Sequence, residues 1–405
     1  MNNISILGND CCGCTACEQI CPKKCITFKE NNEGFMYPVV DESVCVNCGA
    51  CVKHCPVMTP PHSDGVQNVY ASKYCDTQKT KESTSGGIFI PLAKSTLEKG
   101  GVVFGCAYDE NLVARHIAVE KEADLHKLQG SKYVQSDLSG IYSRVKSELK
   151  SGRNVLFSGT GCQVAGLRSF LGKDFDNLIT VDIVCHGVPS PKLFEKYIGY
   201  LGSKTGGPLN PFSTVGPPGT NGGEPVKSYN FRSKKRHGWG LFYEVETDNI
   251  GKGGSGFDDP YYNAFLNCKT YREGCYNCRF ANCDRQGDIT LADFWGIEYI
   301  NPPFYSENGV SLVLVNTDKG KRLWKSLENC IESVDSTVEQ AVQMNKNLSS
   351  PSHRPECRDT IYDGFDGDFD SYVMQKLYVK PSLKRKLKSL VPVSLKGRIK
   401  HMLKK

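Results

Sequence analysis

The chain has 405 residues, of which 39% are hydrophobic and 23% are charged, a composition typical of a soluble globular protein. It has no apolar run long enough to span a membrane, and its N-terminus lacks the basic start and apolar core of a signal peptide, so we expect a cytoplasmic protein. The net charge of +6 is uneven: residues 380–405 carry ten Lys or Arg and no acid, which leaves about −4 for the body and argues against a nucleic-acid-binding protein.

The first sixty residues contain the same four-cysteine run twice. Cys11-x2-Cys14-x2-Cys17-x3-Cys21 is followed by proline, and so is Cys45-x2-Cys48-x2-Cys51-x3-Cys55. This is the spacing of two-cluster ferredoxins, in which three cysteines of a run hold one cubane and the fourth reaches the other. Zinc sites favour paired ligands, and a disulfide framework belongs to secreted chains. We therefore predict two [4Fe-4S] clusters, one held by Cys11, Cys14, Cys17 and Cys55, the other by Cys45, Cys48, Cys51 and Cys21.

The remaining sequence predicts an α+β protein in which a small ferredoxin-like domain precedes a larger mixed α/β domain. We expect the ferredoxin module at 1–60, a polar linker at 59–68, two body parts at 69–155 and 156–335, and a basic tail at 380–405. Hydrophobic patterns predict strands at 69–75, 101–109, 113–120, 177–187 and 287–296, helices at 85–100 and 139–152, and a strand–turn–helix at 154–172. Glycine-rich residues 202–225 and 251–256 are expected to be loops.

Several later cysteines follow predicted strands or lie in loops. Cys162 lies in a Gly-rich turn, Cys185 precedes His186, and Cys275 and Cys278 form a Cys-x2-Cys pair. A buried cysteine is usually a small hydrophobe, so spacing alone leaves a third metal site and a structural role equally weighted. Twenty cysteines without a secretion signal favour a reducing compartment and metal ligation, as in an anaerobe.

Five segments in order carry a family resemblance: STSGGIFIPLA, GSKYVQSDL, VLFSGTGCQVAGLRSFL, VDIVCHGVPSP, and GCYNCRF followed by GDITLADFWG. The chain resembles the family of coenzyme F420 hydrogenase/dehydrogenase beta subunits, in the subgroup with an N-terminal two-cluster ferredoxin. The resemblance implies a flavin (FAD or FMN), hydride exchange with F420 in some members, and a third [4Fe-4S] cluster. It implies the ligands Cys162, Cys185, Cys275 and Cys278.

One residue departs from that family pattern, since Gly161 stands where the family has proline before Cys162. We expect a looser turn that keeps the thiol. Cys268 and Cys283 flank the Cys-x2-Cys pair and are rival ligands, whereas Cys12 and Cys25 are interpreted as cysteines without a ligand role.

Two short motifs are candidates for the flavin site. Ser85-Gly86-Gly87 opens a predicted helix, where free amides bind anions and glycines allow close approach, although an ordinary N-cap explains the same residues. Lys132 is a candidate for placing positive charge near a reduced flavin, and Tyr133 for stacking on its ring. His186 is a candidate proton carrier, with a structural hydrogen bond as the alternative.

These features predict an iron–sulfur flavoprotein oxidoreductase that links a hydride donor or acceptor, F420-like or another organic substrate, to a redox partner protein or ferredoxin. The alternative is a non-catalytic electron-transfer subunit of a partner enzyme, for example in surface polysaccharide biosynthesis. The sequence leaves the catalytic residues unassigned.

The basic tail generates a prediction of its own. Leu383, Leu387 and Leu390 recur at helical spacing among lysines, which favours a peripheral contact with an anionic membrane at its inner face, against a solvated end or an acidic partner protein. We expect the full chain to float with anionic liposomes at low salt and a 1–379 truncation to stay behind. Equal flotation of the two proteins would refute the membrane contact.

Overall fold

The computed structural model describes residues 2–204 and 223–379. The predicted tail at 380–405 and most of the insertion at 202–225 lie outside the described residues. Among the described helices, none is both long and apolar enough to cross a membrane.

The two cysteine runs fold into loops of the same backbone handedness. Gly13 and Thr15 in the first run have φ of +71° and +62°, and Asn47 and Gly49 at the matching positions of the second have +51° and +72°. These left-handed residues turn the chain around its thiols, and each run continues into a short helix, α1 (Ala16–Ile20) or α2 (Ala50–Lys53). A 3₁₀ helix, Ile4–Asp10, precedes the runs, and an antiparallel hairpin of β1 (Ile26–Glu30) and β2 (Met36–Val40) joins them.

The body is built on one mixed sheet of eight strands. Its strands are β3 (Asn68–Tyr74), β4 (Val102–Tyr108), β5 (Ala114–Val119), β6 (Val155–Thr160), β7 (Leu178–Ile183), β11 (Ile289–Asp293), β12 (Ser311–Val315) and β13 (Ile331–Ser336). A smaller antiparallel sheet contains β8 (Ser228–Asn230), β9 (Phe242–Glu246) and β10 (Gly251–Ser255).

The order of the large sheet is β13-β3-β12-β11-β7-β6-β4-β5. Strands β4, β6, β7 and β11 run parallel, and antiparallel strands flank them on both sides. The carboxyl ends of the four parallel strands therefore share one edge. Strands from both predicted body parts join this sheet, so the expected boundary at residue 155 does not separate two sheets.

Helices and short turns complete the body. The α-helices are α3 (Thr77–Glu82), α4 (Phe89–Leu97), α5 (Ile141–Lys150), α6 (Gly161–Leu171), α7 (Pro191–Ser203), α8 (Pro260–Leu266), α9 (Glu273–Tyr276), α10 (Ile297–Ile300), α11 (Asp318–Lys325), α12 (Val338–Met344) and α13 (Phe369–Tyr372). The 3₁₀ helices are Glu122–Leu128, Pro302–Phe304, Lys346–Leu348 and Glu356–Asp359, and Val373–Leu377 is a π-helix.

Side chains of the central strands alternate between two cores. Val103 and Leu156 are fully buried with the residues of α4, whereas their neighbours Phe104 and Phe157 are fully buried against α5 and α6. A parallel strand covered on both faces needs apolar residues at successive positions. This explains why these strands read as continuous hydrophobic runs in the sequence.

The predicted α+β architecture and its strands and helices are confirmed, with two corrections. The GKGGSG segment at 251–256 is not a loop, because Gly251–Ser255 pair with β9 as β10. The predicted helix at 85–100 begins only at Phe89, because Gly87 has φ of +82° and the carbonyl of Gly86 accepts a hydrogen bond from the amide of Tyr74, at 2.8 Å.

A buried histidine on β5 makes stability depend on pH. The ring of His116 lies 3.0 Å from the carbonyl of Ser158, through Nε2, and 3.1 Å from the Ser136 hydroxyl, through Nδ1. Burial lowers its pKa to about 4. Since the pKa in the unfolded chain is about 6.5, the unfolded state takes up more protons as the pH falls between these values, and stability is lost there.

We predict that wild-type protein loses about 2 kcal/mol of unfolding free energy between pH 7 and pH 5 relative to His116→Gln, whose side chain does not titrate. Anaerobic urea unfolding of both proteins measures the difference. Parallel pH profiles would show that His116 is not buried in its neutral form.

Candidate iron–sulfur and flavin sites

The first thiol group of the ferredoxin module is buried against the body. Burial raises the pKa of the Cys17 thiol well above its ordinary value, and the neighbouring Cys11 and Cys55 raise it further. The amide of Gly13 donates to the sulfur of Cys11 at 3.4 Å. Thiols crowded in this way resist ionisation unless cations balance them, so they suit an iron core, which is positively charged.

The second group lies at the surface of the module. Cys21, Cys45, Cys48 and Cys51 line one cavity, and Cys48 is exposed. The structure therefore brings together both predicted sets of ferredoxin cysteines. The fourth cysteine of each run lies with the other run, as the crossed pattern requires.

The third group forms at the shared edge of the sheet. Cys162 lies in the first turn of α6, Cys185 follows β7, Cys275 lies in α9, and Cys278 follows α9. Burial raises the pKa of Cys185 to about 12 and that of Cys278 to about 11, and Cys162 contributes to both shifts. The four predicted ligands are thus neighbours.

The rival cysteines point elsewhere. The thiol of Cys283 donates to the carbonyl of Leu348 at 3.2 Å, and Cys268 packs against the aromatic core near Tyr271. Within the described parts of the chain, no three His, Cys, Asp or Glu side chains form a site for a single metal ion. Cubane thiolates stand further apart, because each binds a different corner of a four-iron core.

Gly161 does not loosen the turn before Cys162. It begins α6 behind a capping box, in which Thr160 and Gln163 exchange hydrogen bonds between side chain and backbone. A Cβ at Gly161 would lie 3.2 Å from Cβ of Phe280, so little room exists for a larger residue. The sequence therefore keeps Cys162 in a defined position.

The first and third thiol groups meet where the ferredoxin module packs on the body. Cys12 lies within hydrogen-bonding reach of both Cys14 and Cys162. A Cβ at Gly166 of α6 would lie 2.9 Å from Cβ of Cys14, so helix and cysteine loop are in close contact. The second group lies toward solvent, since Cys48 is exposed.

A buried arginine holds this contact. The side chain of Arg272 is fully buried, donates to the carbonyls of Cys11 and Met36, and lies 3.8 Å from the ring centre of Tyr37. Among the described residues, no carboxylate is paired with it. Its charge lies beside the Cys11 loop, where a cluster with four thiolates is net negative.

The Ser85-Gly86-Gly87 motif packs against the sheet. The Gly86 amide donates to the Ser311 hydroxyl at 3.0 Å, and the Ser85 hydroxyl donates to the carbonyl of Val310 at 2.8 Å. A Cβ at Gly86 would lie 2.4 Å from the carbonyl oxygen of Ser72. Close approach at Gly86 is thus to the protein's own strands, and its predicted contact with a flavin stays a prediction.

Lys132 lines a cavity beside the carboxyl end of β4, where Tyr108 is also part of the wall. Its volume is about 290 Å³, close to the lower limit of usual ligand pockets. The ammonium of Lys132 donates to the carbonyls of Lys127, Gln129 and Gly130, and burial lowers its pKa to about 8. The cavity is lined by Glu82, Tyr108, His126, Gln129, Gly130, Ser131, Lys132, Tyr229 and Asn230.

The two predicted flavin motifs adjoin each other at this cavity. The hydroxyls of Thr84 and Ser131 are 3.1 Å apart, which joins the loop before Ser85 to the loop of Lys132. Tyr133 faces away, into the aromatic core, where its ring stacks on Phe265 with 4.2 Å between centroids. Its stacking on a flavin stays a prediction.

A polar and aromatic cluster at the carboxyl end of β11 was not predicted from the sequence. Arg232 forms a bidentate ion pair with Asp293, at 2.7 and 2.9 Å, and Trp239 donates to the same carboxylate at 2.6 Å. The indoles of Trp239 and Trp295 are parallel, with 4.9 Å between centroids. Asp293 and Trp295 lie at the end of the predicted strand GDITLADFWG, and polar or aromatic residues at a strand end could have indicated a functional site. Nothing in the sequence around Arg232 distinguishes that residue.

His186 stands beside this cluster. His186 is exposed. The surrounding protein nevertheless removes part of the water around its imidazole and so lowers its pKa, and the negative charge of Asp293 opposes this shift. The predicted proton carrier therefore lies next to Cys185 and in an accessible position.

Two known protein families match separate parts of this chain. Residues 10–59 match the 4Fe-4S dicluster domain, which confirms the predicted two-cluster ferredoxin module. Residues 152–338 match the C terminus of the beta subunit of coenzyme F420 hydrogenase/dehydrogenase. The chain therefore joins a 4Fe-4S dicluster domain to a region that is similar to the C terminus of F420 hydrogenase/dehydrogenase beta subunits, the two similarities that the sequence motifs predicted.

Three curated relatives are similar over parts of the chain. The coenzyme F420-dependent sulfite reductase of Methanocaldococcus jannaschii is 28% identical over 163 residues, 39% of this chain and 24% of that protein. One of the subunits of the F420H2 dehydrogenase of Methanosarcina mazei is 22% identical over 167 residues, 39% of this chain and 47% of that protein. A 7Fe ferredoxin of Hydrogenibacillus schlegelii is 37% identical over 57 residues, 14% of this chain and 67% of that protein.

The chain thus spans about a quarter and about half the length of the two F420-related proteins. Among solved structures, a chain of the F420-reducing [NiFe] hydrogenase complex of Methanosarcina barkeri aligns with a TM-score of 0.46 and 16% identity, covering 76% of this chain and 96% of that chain.

The third thiol group yields a prediction for its ligands. Cys278→Ser should lower the iron content of anaerobically purified protein by about four atoms per chain, because one ligand of a cubane is lost. Cys268→Ser is the matched control and should leave the iron content unchanged, since its thiol lies away from the group. The reverse pattern would exchange the roles of the two cysteines, and a wild-type content near eight irons would remove the third cluster.

Proposed function

We propose that the protein is an iron–sulfur flavoprotein oxidoreductase that carries electrons between an organic hydride donor or acceptor and a one-electron redox partner. The three thiol groups each hold one [4Fe-4S] cluster. The observation that supports this most is the contact between the third and first thiol groups through Cys12. It gives the body a direct connection to a ferredoxin domain.

A flavin, FAD or FMN, would supply the conversion between two-electron hydride chemistry and single electrons. The cavity at Lys132 and the adjoining loop of Ser85 are the part of the chain proposed to bind it. Lys132 places a positive charge where a reduced, anionic ring needs one. At the same cavity, Glu82 offers an acceptor to the hydroxyls of a ribityl chain, and His126 offers a polar contact to a phosphate. Ser131 lines the cavity wall between the two loops.

The edge cluster is suited to handle the substrate. Trp239 and Trp295 are half-buried, so they present an aromatic surface beside the accessible imidazole of His186. Asp293 neutralises Arg232 and fixes both arginine and indole by hydrogen bonds. His186 would take up or release the proton that accompanies a hydride, because its ring is accessible and mostly neutral at neutral pH.

An F420-like deazaflavin is the proposed hydride partner, supported by the names of two relatives. A redox protein or ferredoxin would meet the surface near the second thiol group, where Cys48 is exposed. The alternative function is that of a non-catalytic electron-transfer subunit within a larger enzyme. The partial coverage of the relatives is compatible with that alternative, because their matched regions are parts of longer proteins.

Flavin content decides between these functions. Anaerobically purified wild-type protein should hold one flavin per chain, and Ser131→Trp should lower flavin affinity about tenfold or more by filling the cavity, a loss of at least about 1.4 kcal/mol. Its iron content should stay the same. Ser151→Trp, at an exposed position on the surface, is the matched control.

Protein with full iron and no flavin would support the relay subunit instead. If Ser131→Trp retained its flavin, the flavin would bind elsewhere. Gly86→Val is a poor probe of the flavin, since its side chain would collide with the backbone of β3 and β12.

A further inference from the structure

The second thiol group has a fifth cysteine beside it. Cys25 lines the same cavity as Cys21, Cys45, Cys48 and Cys51. Its side chain is 5% exposed, its sulfur lies 3.4 Å from the sulfur of Cys21, and Cys45 is also within its reach. Two sulfurs this close could bind the same iron of a cluster, but not two different irons at once.

The backbone is shaped to bring Cys25 back to Cys21. Pro22 follows Cys21, and the amide of Lys24 donates to the carbonyl of Cys21 at 3.2 Å, which closes a tight turn. Lys24 itself has φ of +52°, a left-handed conformation that costs a non-glycine residue of the order of 1 kcal/mol. The chain then continues into β1, and the carbonyl of Cys25 accepts from the amide of Asp41 at 2.8 Å.

The crossing cysteine of the first cluster, Cys55, has no cysteine at the matching position. The position four residues after Cys55, equivalent to Cys25 in the repeat, is the exposed Thr59. The repeat therefore supplies an internal comparison: one crossing cysteine has a buried thiol next to it, and the other does not.

We propose that Cys25 is an alternative ligand of the second cluster, exchangeable with Cys21. In the exchange, an iron–sulfur bond to Cys25 forms as that to Cys21 breaks, and the proton of the Cys25 thiol passes to the sulfur of Cys21. The step involves no net oxidation. Cys21 is the resting ligand, because it is the fourth cysteine of a run with the spacing of two-cluster ferredoxins.

Alanine variants test this proposal without reference to flavin or turnover, since alanine offers no ligand atom. Cys21→Ala should keep the iron content of wild-type protein after anaerobic reconstitution, and Cys25→Ala should keep it as well. The double variant, Cys21→Ala with Cys25→Ala, should lose about four irons per chain, and so should Cys55→Ala at the other crossing position. Reduced Cys21→Ala should also show a second-cluster EPR signal shifted from that of wild-type protein, as expected for a different ligand.

A loss of about four irons in Cys21→Ala, equal to that in Cys55→Ala, would overturn the proposal. Retention of all iron in the double variant would overturn it too, since the cluster would then need neither thiol. Far-UV circular dichroism identifies a variant that fails to fold, and failure of Cys21→Ala to fold while Cys55→Ala folds would also count against the exchange. Loss of flavin alone in any variant bears on the proposed function and leaves this proposal intact.

Discussion

The contact of Arg272 with the first cysteine loop is the interaction on which the arrangement of redox groups depends. Its guanidinium is fully buried and reaches from the start of α9 to the carbonyls of Cys11 and Met36. Burying a charge without a carboxylate partner is costly, and carbonyl dipoles and the face of Tyr37 offset only part of that cost. A net negative cluster beside Cys11 would offset more of it, and loading of the first cluster would then stabilise the packing of the module on the body through this one side chain.

That coupling continues into the third thiol group. Arg272 precedes α9, which carries Cys275, and the amide of Arg272 donates to the carbonyl of Val188 in the loop after Cys185, at 2.9 Å. The same residue thus fixes the ferredoxin module through its side chain and the loops of the third group through its backbone. A second arginine acts in parallel, since Arg358 pairs with Glu33 at the tip of the β1–β2 hairpin, at 2.6 and 2.7 Å. The hairpin is therefore held from two directions.

Much of this could be predicted from the sequence because the determining interactions are local. The spacing of the eight ferredoxin cysteines reflects left-handed turns at Gly13, Thr15, Asn47 and Gly49, and continuous apolar runs reflect strands covered on both faces. The strand Gly251–Ser255 could not be predicted, because it pairs with β9 through its backbone and its glycines carry no β signal. The packing of Tyr133 and the ion pair of Arg232 with Asp293 depend on partners distant in sequence, which spacing does not reveal.

The position of the candidate sites follows from strand direction. Because β4, β6, β7 and β11 are parallel, their carboxyl ends bring Tyr108, Cys162, Cys185 and Asp293 to one edge of the sheet, although these residues are far apart in sequence. Loops at such an edge are where open α/β sheets bind ligands. The cavity at Lys132 lies at the β4 end of this edge and the Trp239–Trp295 pair at the β11 end, with the third thiol group on the loops between them. A flavin in that cavity would therefore have the cysteine loops of β6 and β7 between itself and the ferredoxin module. With a cluster at each thiol group, as proposed, the fold would provide one connected route from an accessible edge, through the third and first groups, to the exposed Cys48.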